Sequence, residues 1–496
     1  MSESALPRRR RAALLLLTAS LLLVTLYRGV AILTSEPLLA LANNYDMIRV
    51  QSCIKTYPVR APEIPPQAGN ADAPIERYRF LHDVRGPWFR CFPSSEVLFA
   101  RLARPLFKSE SLHSGEGTFS IRWLGLIKFS VFFALVAAFT LAWWRRGQRE
   151  AALANAAVAA IVLTDPAVTL YLNGFYAEFS TVLFGYASVA GAALLMERQQ
   201  PPRVFALVLL GLAVAAFVAT KIQHIGLGVL LALTMALPAV FGQKIWGRTV
   251  LALAIGGAIG LGFQAANLRK PDTEMMRLAN LTSTVLSTLL PLSDDPYTTA
   301  EHLGIPRRCG GYAGLNWYLP PVSEDPANHP CREVVEASYP RLLGLAVIEP
   351  KLFARFVGRS LDYIRPWIPS TYRGVPHLGV VEGQRRASLP NGWFTWSRIL
   401  DRLPLWMIQT LIVAPAFVVA LLLVSRRFRQ PALAAVLSAL AFLPYPVIVA
   451  VIFGNGYEDA AKQMHLVFAM TLSFWLMLAL FGTRLIGGPR DRAAVP

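Results

Sequence analysis

Charged residues are scarce in this sequence. Asp, Glu, Lys and Arg make up 16% of its 496 residues, whereas hydrophobic residues make up 54%. The mean hydropathy is +0.44. A soluble chain of this length carries more charge to cover its surface, so the composition excludes a soluble domain and indicates a membrane protein.

Several sequence signals are also missing, and each absence argues against a class of function. The sequence has no Gly-rich phosphate loop, which an ATP-driven exporter would need. Its four cysteines form no CxxC pair or His-spaced cluster, so no typical zinc site is indicated. It also lacks an internal repeat of the kind that many secondary transporters show.

Long apolar runs recur throughout the chain. A helix needs roughly 20 mostly apolar residues to cross the hydrocarbon core of a bilayer. We therefore expect an all-α polytopic membrane protein of about ten transmembrane helices. The runs lie near residues 12–32, 121–144, 151–172, 178–196, 204–220, 225–241, 249–267, 403–425, 431–453 and 467–484.

The net charge of +18 follows these runs, because basic clusters flank them at alternate ends. Short loops rich in Lys and Arg stay in the cytoplasm. The basic clusters therefore mark the cytoplasmic side of the membrane, and we expect no nucleic-acid partner. Both termini are predicted inside, and two long segments, 33–120 and 268–402, outside the cytoplasm. The expected modules are 1–267, with about seven helices, 268–402, with amphipathic helices, and 403–496, with about three helices. The expected location is the inner (plasma) membrane.

All four cysteines lie in the two long outer segments, two in each. An oxidising compartment permits disulfides there. The even split favours Cys53 with Cys91 and Cys309 with Cys331, although four cysteines allow three pairings and unpaired thiols are the alternative.

The first candidate site follows the first helix and contains Asn44, Tyr45 and Asp46. A carboxylate near the membrane plane can act as a general base towards a hydroxyl. The alternative is a helix cap, or a surface charge paired with Arg49.

The second candidate site runs from Asp165 and Pro166, in the outer half of the third predicted helix, to Glu178, which opens the fourth, and it includes Asn173 and Tyr176. Aromatic faces beside a carboxylate suit carbohydrate rings. The alternatives are an interfacial aromatic belt and a carboxylate that only stabilises a helix N-terminus.

The third candidate site is a polar turn between two apolar runs, with Lys221, Gln223 and His224. Such a group at a hairpin tip suggests a bound anion such as phosphate. Snorkelling of Lys221 to the interface is the alternative.

The fourth candidate site precedes the last helix, and the fifth lies in the second outer segment. Lys462 and His465 are three residues apart and would share one helical face, where they could hold a phosphate or contact nearby carboxylates. Arg365 is the candidate in the second segment, although Arg at a membrane interface is common. The polar residues that precede Lys462 are Asn455, Tyr457, Glu458 and Asp459.

Together these stretches resemble the GT-C superfamily of multi-spanning glycosyltransferases, and most closely the bacterial glycan-biosynthesis hexosyltransferases. The resemblance extends over most of the chain but is carried by short motifs: Asn44 to Asp46, Asn173 to Glu178, Lys221 to His224 and Gly454 to His465. It implies an enzyme that moves a hexose from a polyprenyl-phosphate donor to a glycan or lipid-linked acceptor, with its active site on the extracytoplasmic face.

The resemblance also implies roles for these residues. Asp46 would be the base and Glu178 a second catalytic carboxylate, while Lys221, His224, Lys462, His465 and Arg365 would bind the donor phosphate. The remaining polar residues, Asn44, Tyr45, Asn173, Tyr176, Gln223, Tyr457 and Glu458, would contact the substrates. A single Asp replaces the paired acids of many relatives, so a divalent cation, Mg²⁺ or Mn²⁺, is an open option and no cofactor is assigned. Membrane lipids are expected partners.

Two other classes compete with this interpretation. A secondary transporter or lipid flippase would also place polar residues among many helices, but it would hold its substrate near the midplane. A ligase, polymerase or acyltransferase of surface glycans is the other alternative, although a membrane-bound acyltransferase should have a His deep within a helix and the His residues of this chain lie mostly in the predicted outer loops.

Overall fold

The computed structural model describes most of the chain, and the account below is confined to that part. The described residues are 8–36, 38–41, 44–59, 75–81, 91–197, 203–245, 247–269, 274–317, 319–323, 325–365, 367, 395–425, 427–428, 430–457 and 460–486.

Helices dominate the structure. In chain order, α1 to α20 are Arg8–Leu33, Asn44–Ile54, Glu96–His113, Arg122–Arg145, Arg149–Val158, Pro166–Thr169, Glu178–Met196, Val204–Val218, Leu227–Val240, Gly247–Leu268, Glu274–Leu281, Pro296–His302, Tyr339–Ile348, Pro350–Ser360, Trp396–Arg402, Leu405–Val424, Pro431–Phe442, Pro444–Asn455, Ala460–Gln463 and His465–Ile486. Two π-helical segments, Ala159–Leu163 and Thr282–Leu289, follow α5 and α11.

Eight described helical spans are long and apolar enough to cross a membrane, which confirms a mostly helical, multi-pass membrane protein. They are Arg9–Leu33, Arg122–Arg145, Glu178–Met196, Ile222–Val240, Gly247–Leu268, Leu405–Val424, Pro431–Asn455 and His465–Gly482. Two predicted spans are shorter here. Helix α8 has only 15 residues, and the run at 151–172 is broken into α5, a π-helical segment and α6. The count of about ten therefore stays a prediction.

Proline explains the break in the run at 151–172. Pro166 has no backbone N–H and restricts the residue before it, so a helix ends ahead of it. Asp165 then caps the new helix, because its Oδ1 accepts a hydrogen bond of 3.0 Å from the backbone N–H of Ala167.

The chain divides into two compact units. The first contains Met1–Gln264, Ser370–Pro444 and Leu466–Pro496, and the second contains Ala265–Pro369 and Tyr445–His465. Each unit therefore joins stretches that are distant in sequence.

Small residues allow three membrane helices of the first unit to pack closely. A Cβ atom on Gly256 of α10 would lie 2.3 Å from the carbonyl oxygen of Gly211 in α8. One on Gly257 would lie 2.7 Å from the carbonyl carbon of Gly228 in α9. Such contacts between small residues are typical of helices that associate within a bilayer.

A small antiparallel sheet covers part of the first unit. Its strands are β1 (Thr56–Pro58), β2 (Arg77–Phe80) and β3 (Thr118–Ser120), in the order β1-β2-β3. Tyr78 of β2 is paired in register with Phe119 of β3, and its ring meets that of Phe175 edge-on at 5.4 Å. The Cys53–Cys91 disulfide ties helix α2 to the chain segment ahead of α3.

The second unit is built around the π-helical segment Thr282–Leu289, most of which is buried. Its Cys309–Cys331 disulfide closes a loop of short turns. His329 accepts a hydrogen bond from the backbone of Cys331 at 3.1 Å and lies 2.9 Å from the hydroxyl of Thr282. Both disulfides join the cysteines in the predicted pairs.

Candidate functional site

Four charged side chains of the first unit gather where its helices begin or end. Glu96 opens α3, Lys128 lies in the second turn of α4, and Glu178 opens α7. Lys221 stands in the turn between α8 and α9. We call these four residues the charge cluster.

Glu96 and Lys128 form a completely buried ion pair. Their Oε1 and Nζ atoms are 2.6 Å apart, and both side chains have 0% exposure. Ser180 donates a hydrogen bond to the other oxygen of Glu96. Burial raises the pKa of Glu96 to about 7, against the opposing effects of Lys128 and Ser180. Removing a charge from water costs free energy, and the ion pair between Glu96 and Lys128 offsets this cost.

Lys128 also shapes the loop between α6 and α7. Its ammonium donates a 2.7 Å hydrogen bond to the carbonyl oxygen of Gly174 and longer ones, of 3.4 and 3.3 Å, to those of Tyr171 and Tyr176. One buried cation thus collects three carbonyl oxygens. We call residues 171–177 the site loop.

Asn173 fastens the site loop to the first helix. Its Nδ2 donates to the carbonyl oxygens of Ile32, at the end of α1, and Leu39, at 3.0 and 3.1 Å. Its Oδ1 faces Gly125 of α4, where a Cβ atom would approach it to 2.4 Å. The predicted substrate residue Asn173 therefore has a structural role in this state. Tyr176 is buried in the same loop, with its ring edge against Tyr171.

The first turns of helix α2 pack against the site loop. The sulfur of Met47 lies 3.2 Å from the backbone nitrogen of Phe175. Asn44, Tyr45 and Asp46 form the turn just before Met47, but their side chains lie outside the described part of the structure. The backbone that carries Asp46 is therefore adjacent to the site loop.

Gln51 lies one turn after Met47 on the same face of α2. It is almost completely buried, yet both polar atoms of its amide lack a hydrogen-bond partner among the described residues. Burying an amide without partners is costly, so the Gln51 amide is a candidate to bind a polar group.

Glu178 and Lys221 form the second ion pair of the charge cluster, with 2.5 Å between Oε1 and Nζ. The Glu178 side chain is 2% exposed and the Lys221 side chain 18%. Lys221 is thus the member of the cluster that an incoming group reaches most readily. The two predicted site residues are in direct contact.

The other residues of the Lys221 turn have different environments. His224 is buried, with its Nδ1 2.7 Å from the hydroxyl of Thr220 and its ring stacked on Phe217 at 5.7 Å. Through these contacts, His224 contributes to the packing between the helices. Gln223 is partly exposed beside it.

The remaining predicted residues belong to the second unit. The hydroxyl of Tyr457 donates to the carbonyl of Phe356 at 2.6 Å, and its ring stacks on Tyr363 at 4.4 Å. Lys462 and His465 are both buried, and the Nδ1 of His465 lies 2.9 Å from the carbonyl oxygen of Lys462. Arg365 is partly exposed, and Glu458 lies outside the described residues.

Sequence reasoning missed Glu96, Lys128 and Gln51. Lys128 gave a usable signal, because it is a lone cation within an otherwise apolar run, and such residues are functional or paired by default. Glu96 and Gln51 gave none, since each looks like an ordinary polar residue at the edge of an amphipathic helix.

One group of potential metal ligands occurs among the described residues, namely Cys309, Cys331 and Glu333. The two sulfurs are bonded to each other in a disulfide and therefore offer no thiolate. This group does not fit a metal centre.

A protein-family model, described as the YfdI N-terminal transmembrane domain, matches residues 12–333. The chain belongs to this family. The match to the YfdI N-terminal transmembrane domain contains α2, the site loop and all four residues of the charge cluster, whereas Lys462 and His465 lie beyond it. Neither the curated proteins nor the solved structures include a significant match to the chain.

Proposed function

We propose that this protein is a membrane glycosyltransferase that moves a hexose from a polyprenyl-phosphate donor to a surface-glycan acceptor, with inversion at the anomeric carbon. The reaction would take place at the end of the helix bundle where the charge cluster lies. We further propose that this end faces the extracytoplasmic side.

One observation supports the proposal most strongly. The helix that carries Asp46, the site loop and the Glu178–Lys221 pair lie in one region of the first unit, linked through Met47 and Lys128. The backbone that carries Asp46, an amide without a partner among the described residues and a partly exposed cation therefore lie in one region of the first unit. Glycosyl transfer from a lipid phosphate needs a base, hydroxyl recognition and a cation.

Asp46 is the proposed base. Its carboxylate would take the proton from the acceptor hydroxyl while that oxygen forms the new bond to the anomeric carbon. The bond from that carbon to the phosphate oxygen breaks at the same time, and its electron pair leaves with the polyprenyl phosphate. A phosphate leaves without a proton, so one base is sufficient and the two-carboxylate rule of glycosidases does not apply.

Lys221 is the proposed partner of the leaving phosphate. Its ammonium would stabilise the charge that grows on the phosphate oxygen, and a preorganised cation does this best. Glu178 holds the ammonium in place through their ion pair. Lys462, His465 and Arg365 stay predictions for the same role.

Gln51 is proposed to bind a sugar hydroxyl. An amide offers both a donor and an acceptor, which matches a hydroxyl that needs one of each. The cost of leaving this amide unpaired would be recovered when the sugar binds.

The test is transfer of labelled hexose by membranes that contain the protein, with polyprenyl-phosphate hexose as donor. Wild-type membranes should form labelled glycan, and Asp46→Asn should lower the rate by about 10²- to 10⁴-fold, the usual contribution of a general base. The protein level should not change, because the substitution keeps the shape of the side chain.

Asp294→Asn is the matched control, because the Asp294 side chain is 84% exposed and pairs with Arg355. It should transfer at the wild-type rate. If Asp46→Asn were as active as this control, Asp46 would not be the base. If wild-type membranes transferred no hexose from any polyprenyl-phosphate sugar, the reaction itself would be wrong.

A broken helix favours a transporter or flippase as the second candidate. The break between α5 and α6 carries the buried Asp165, which interacts electrostatically with Arg28 of α1. Broken helices with buried charges are typical of transport sites. Uptake or lipid translocation by the purified protein in vesicles, without any hexose transfer, would support this function.

A further inference from the structure

Helix α3 has two apolar faces. The inner face contains Val97, Ala100, Ala103 and Phe107, which are all buried, and the ring of Phe107 stacks on that of Phe119 in β3 at 4.3 Å. This face accounts for the packing of α3 within the first unit. The outer face is exposed and needs a different explanation.

An apolar stripe follows the outer face of α3. Leu98, Leu102 and Leu112 are 53%, 59% and 83% exposed, and Pro105 is exposed between them. Steps of three, four and seven residues place these side chains along one side of a helix. Single exposed leucines are common on protein surfaces, whereas several on one side of a helix indicate contact with another apolar phase. We call these four residues the apolar stripe.

Three cations border the apolar stripe. Arg101, Arg104 and Lys108 are exposed and lie three and four residues apart, so they share the side of α3 next to the stripe. Their side chains make no hydrogen bond or ion pair with the described residues. We call these three residues the basic flank.

The carboxylates of α3 do not neutralise the basic flank. Glu96 is buried within the charge cluster, and Glu110 pairs with Arg77 of β2 at 2.6 Å. One further carboxylate, Glu116, lies in the turn beyond the end of the helix. The basic flank therefore has an excess of positive charge, which favours an anionic partner.

Helix α3 crosses the beginning of α4. Glu96 pairs with Lys128, and Glu110 accepts a 2.7 Å hydrogen bond from the indole N–H of Trp123. From Glu96 to Glu110 helix α3 rises about 21 Å, whereas Trp123 and Lys128 are only about 8 Å apart along α4. Two parallel helices would advance equally between such contacts, so α3 lies steeply across α4. A helix that crosses the first two turns of a membrane span lies roughly along the membrane surface, at the depth of the lipid headgroups.

We propose that the outer face of α3 binds the bilayer surface and selects anionic phospholipids. The apolar stripe enters the upper acyl region, and the basic flank binds headgroup phosphates through charge-assisted hydrogen bonds. Lipid is the surrounding phase at this depth, and basic side chains at a membrane surface attract anionic lipids. The inference does not rest on glycosyl transfer, although it places anionic lipids beside the charge cluster, which contains Glu96.

Quenching by brominated lipids tests the proposal on the purified full-length protein. All four native cysteines are in disulfides, so Leu102→Cys supplies a single free thiol for a bimane fluorophore. The labelled protein is placed in phosphatidylcholine bilayers with phosphatidylglycerol as the minor lipid, and either lipid carries bromine on its acyl chain. Both should quench, and brominated phosphatidylglycerol should quench as though it were enriched at least about fivefold, the effect of one interfacial cation.

Removal of the basic flank should abolish this preference. The triple variant Arg101→Gln, Arg104→Gln and Lys108→Gln should lose the enrichment of phosphatidylglycerol but keep the quenching by brominated phosphatidylcholine, because the apolar stripe is unchanged. Arg101→Lys with Arg104→Lys keeps the charge and should keep the preference.

A label at Phe417→Cys is the matched control. Phe417 is 71% exposed in α16, a span without charged side chains, so both lipids should quench there in proportion to their share of the bilayer. Leu98→Cys, one turn earlier in the apolar stripe, is the second reporter if Leu102→Cys does not fold, and it should behave as described for Leu102.

The proposal fails if neither brominated lipid quenches a label in the apolar stripe, because α3 would then lie outside the bilayer. It also fails if phosphatidylglycerol is not enriched at the stripe, if the label at Phe417 shows equal enrichment, or if the triple variant keeps the preference. The bilayers contain no polyprenyl phosphate, so none of these results depends on the proposed donor.

Discussion

The two ion pairs of the charge cluster share the same chemistry but differ in exposure. Glu96 and Lys128 are both fully buried, and Lys128 also binds three carbonyl oxygens of the site loop. Glu178 and Lys221 are at a similar separation, yet Lys221 is 18% exposed. The first pair is therefore a scaffold for the site loop, whereas the cation of the second pair is reachable from outside and is the one that we propose for substrate binding.

We therefore expect the first ion pair to contribute mainly to stability and the second to contribute to function. A fully buried pair has large desolvation costs, so removal of one partner leaves an uncompensated charge. A partly exposed cation can be solvated by water when its partner or substrate is lost. Substitution of Lys128 should therefore act mainly on folding, whereas substitution of Lys221 should also lower the activity of the folded protein.

The largest effect is expected from Lys128→Met. It leaves the buried carboxylate of Glu96 without its cation and three loop carbonyls without their donor, and should destabilise the protein by about 3 to 5 kcal/mol. Thermal denaturation in detergent measures it. The double variant Lys128→Met with Glu96→Gln should recover part of the loss, and an unchanged melting temperature in the single variant would remove the scaffold role.

Lys221→Met should mainly affect transfer. Loss of one preorganised charge at the leaving group costs about 10²-fold in kcat/KM, or about 2.7 kcal/mol. The melting temperature should also fall, because the Glu178 carboxylate is only 2% exposed and loses its cation, so transfer is compared per amount of folded protein. Lys221→Arg, which keeps the charge, is the control and should retain most activity. A loss of protein yield with normal specific activity would assign Lys221 to the scaffold as well.

Gln51→Leu tests whether a residue of the proposed site can affect transfer without contributing to stability. It removes an amide that has no partner among the described residues, so the melting temperature should stay equal or rise. Transfer should fall by about tenfold through loss of one hydrogen bond to the sugar. A marked loss of stability would show instead that the amide is satisfied within the folded protein.

The pH dependence of stability is the smallest expected effect. Burial raises the pKa of Glu96 from 4.5 to about 7, so the folded protein binds this proton more tightly than the unfolded chain does. The contribution is complete below about pH 4.5 and decreases as the pH rises through 7. Glu96→Gln should flatten the melting-temperature profile over this range, whereas an identical slope in both proteins would contradict the assignment.

Sequence patterns predicted the features that arise from local composition. The apolar runs predicted a helical membrane protein, and the even split of cysteines predicted Cys53–Cys91 and Cys309–Cys331. These features could be predicted because hydropathy and the positions of cysteines are properties of the sequence itself.

Pairings between distant residues could not be predicted in the same way. Glu96 meets Lys128 only because α3 folds back on α4, and Glu178 meets Lys221 across two helices. No local sequence pattern indicates a contact between residues so far apart in the chain. The break near Asp165 was also missed, since the hydropathy of 151–172 is continuous although Pro166 interrupts its helix.

The central claim is that the Glu178–Lys221 end of the bundle binds the donor lipid phosphate. The most direct measurement is crosslinking of the wild-type protein with a polyprenyl phosphate that carries a photoreactive group on the sugar. The account predicts labelling of peptides that contain 171–178 or 221–224, with Asp46→Asn labelled equally although it is inactive in transfer. Labelling at other helices, or undiminished labelling in Lys221→Met, would contradict it.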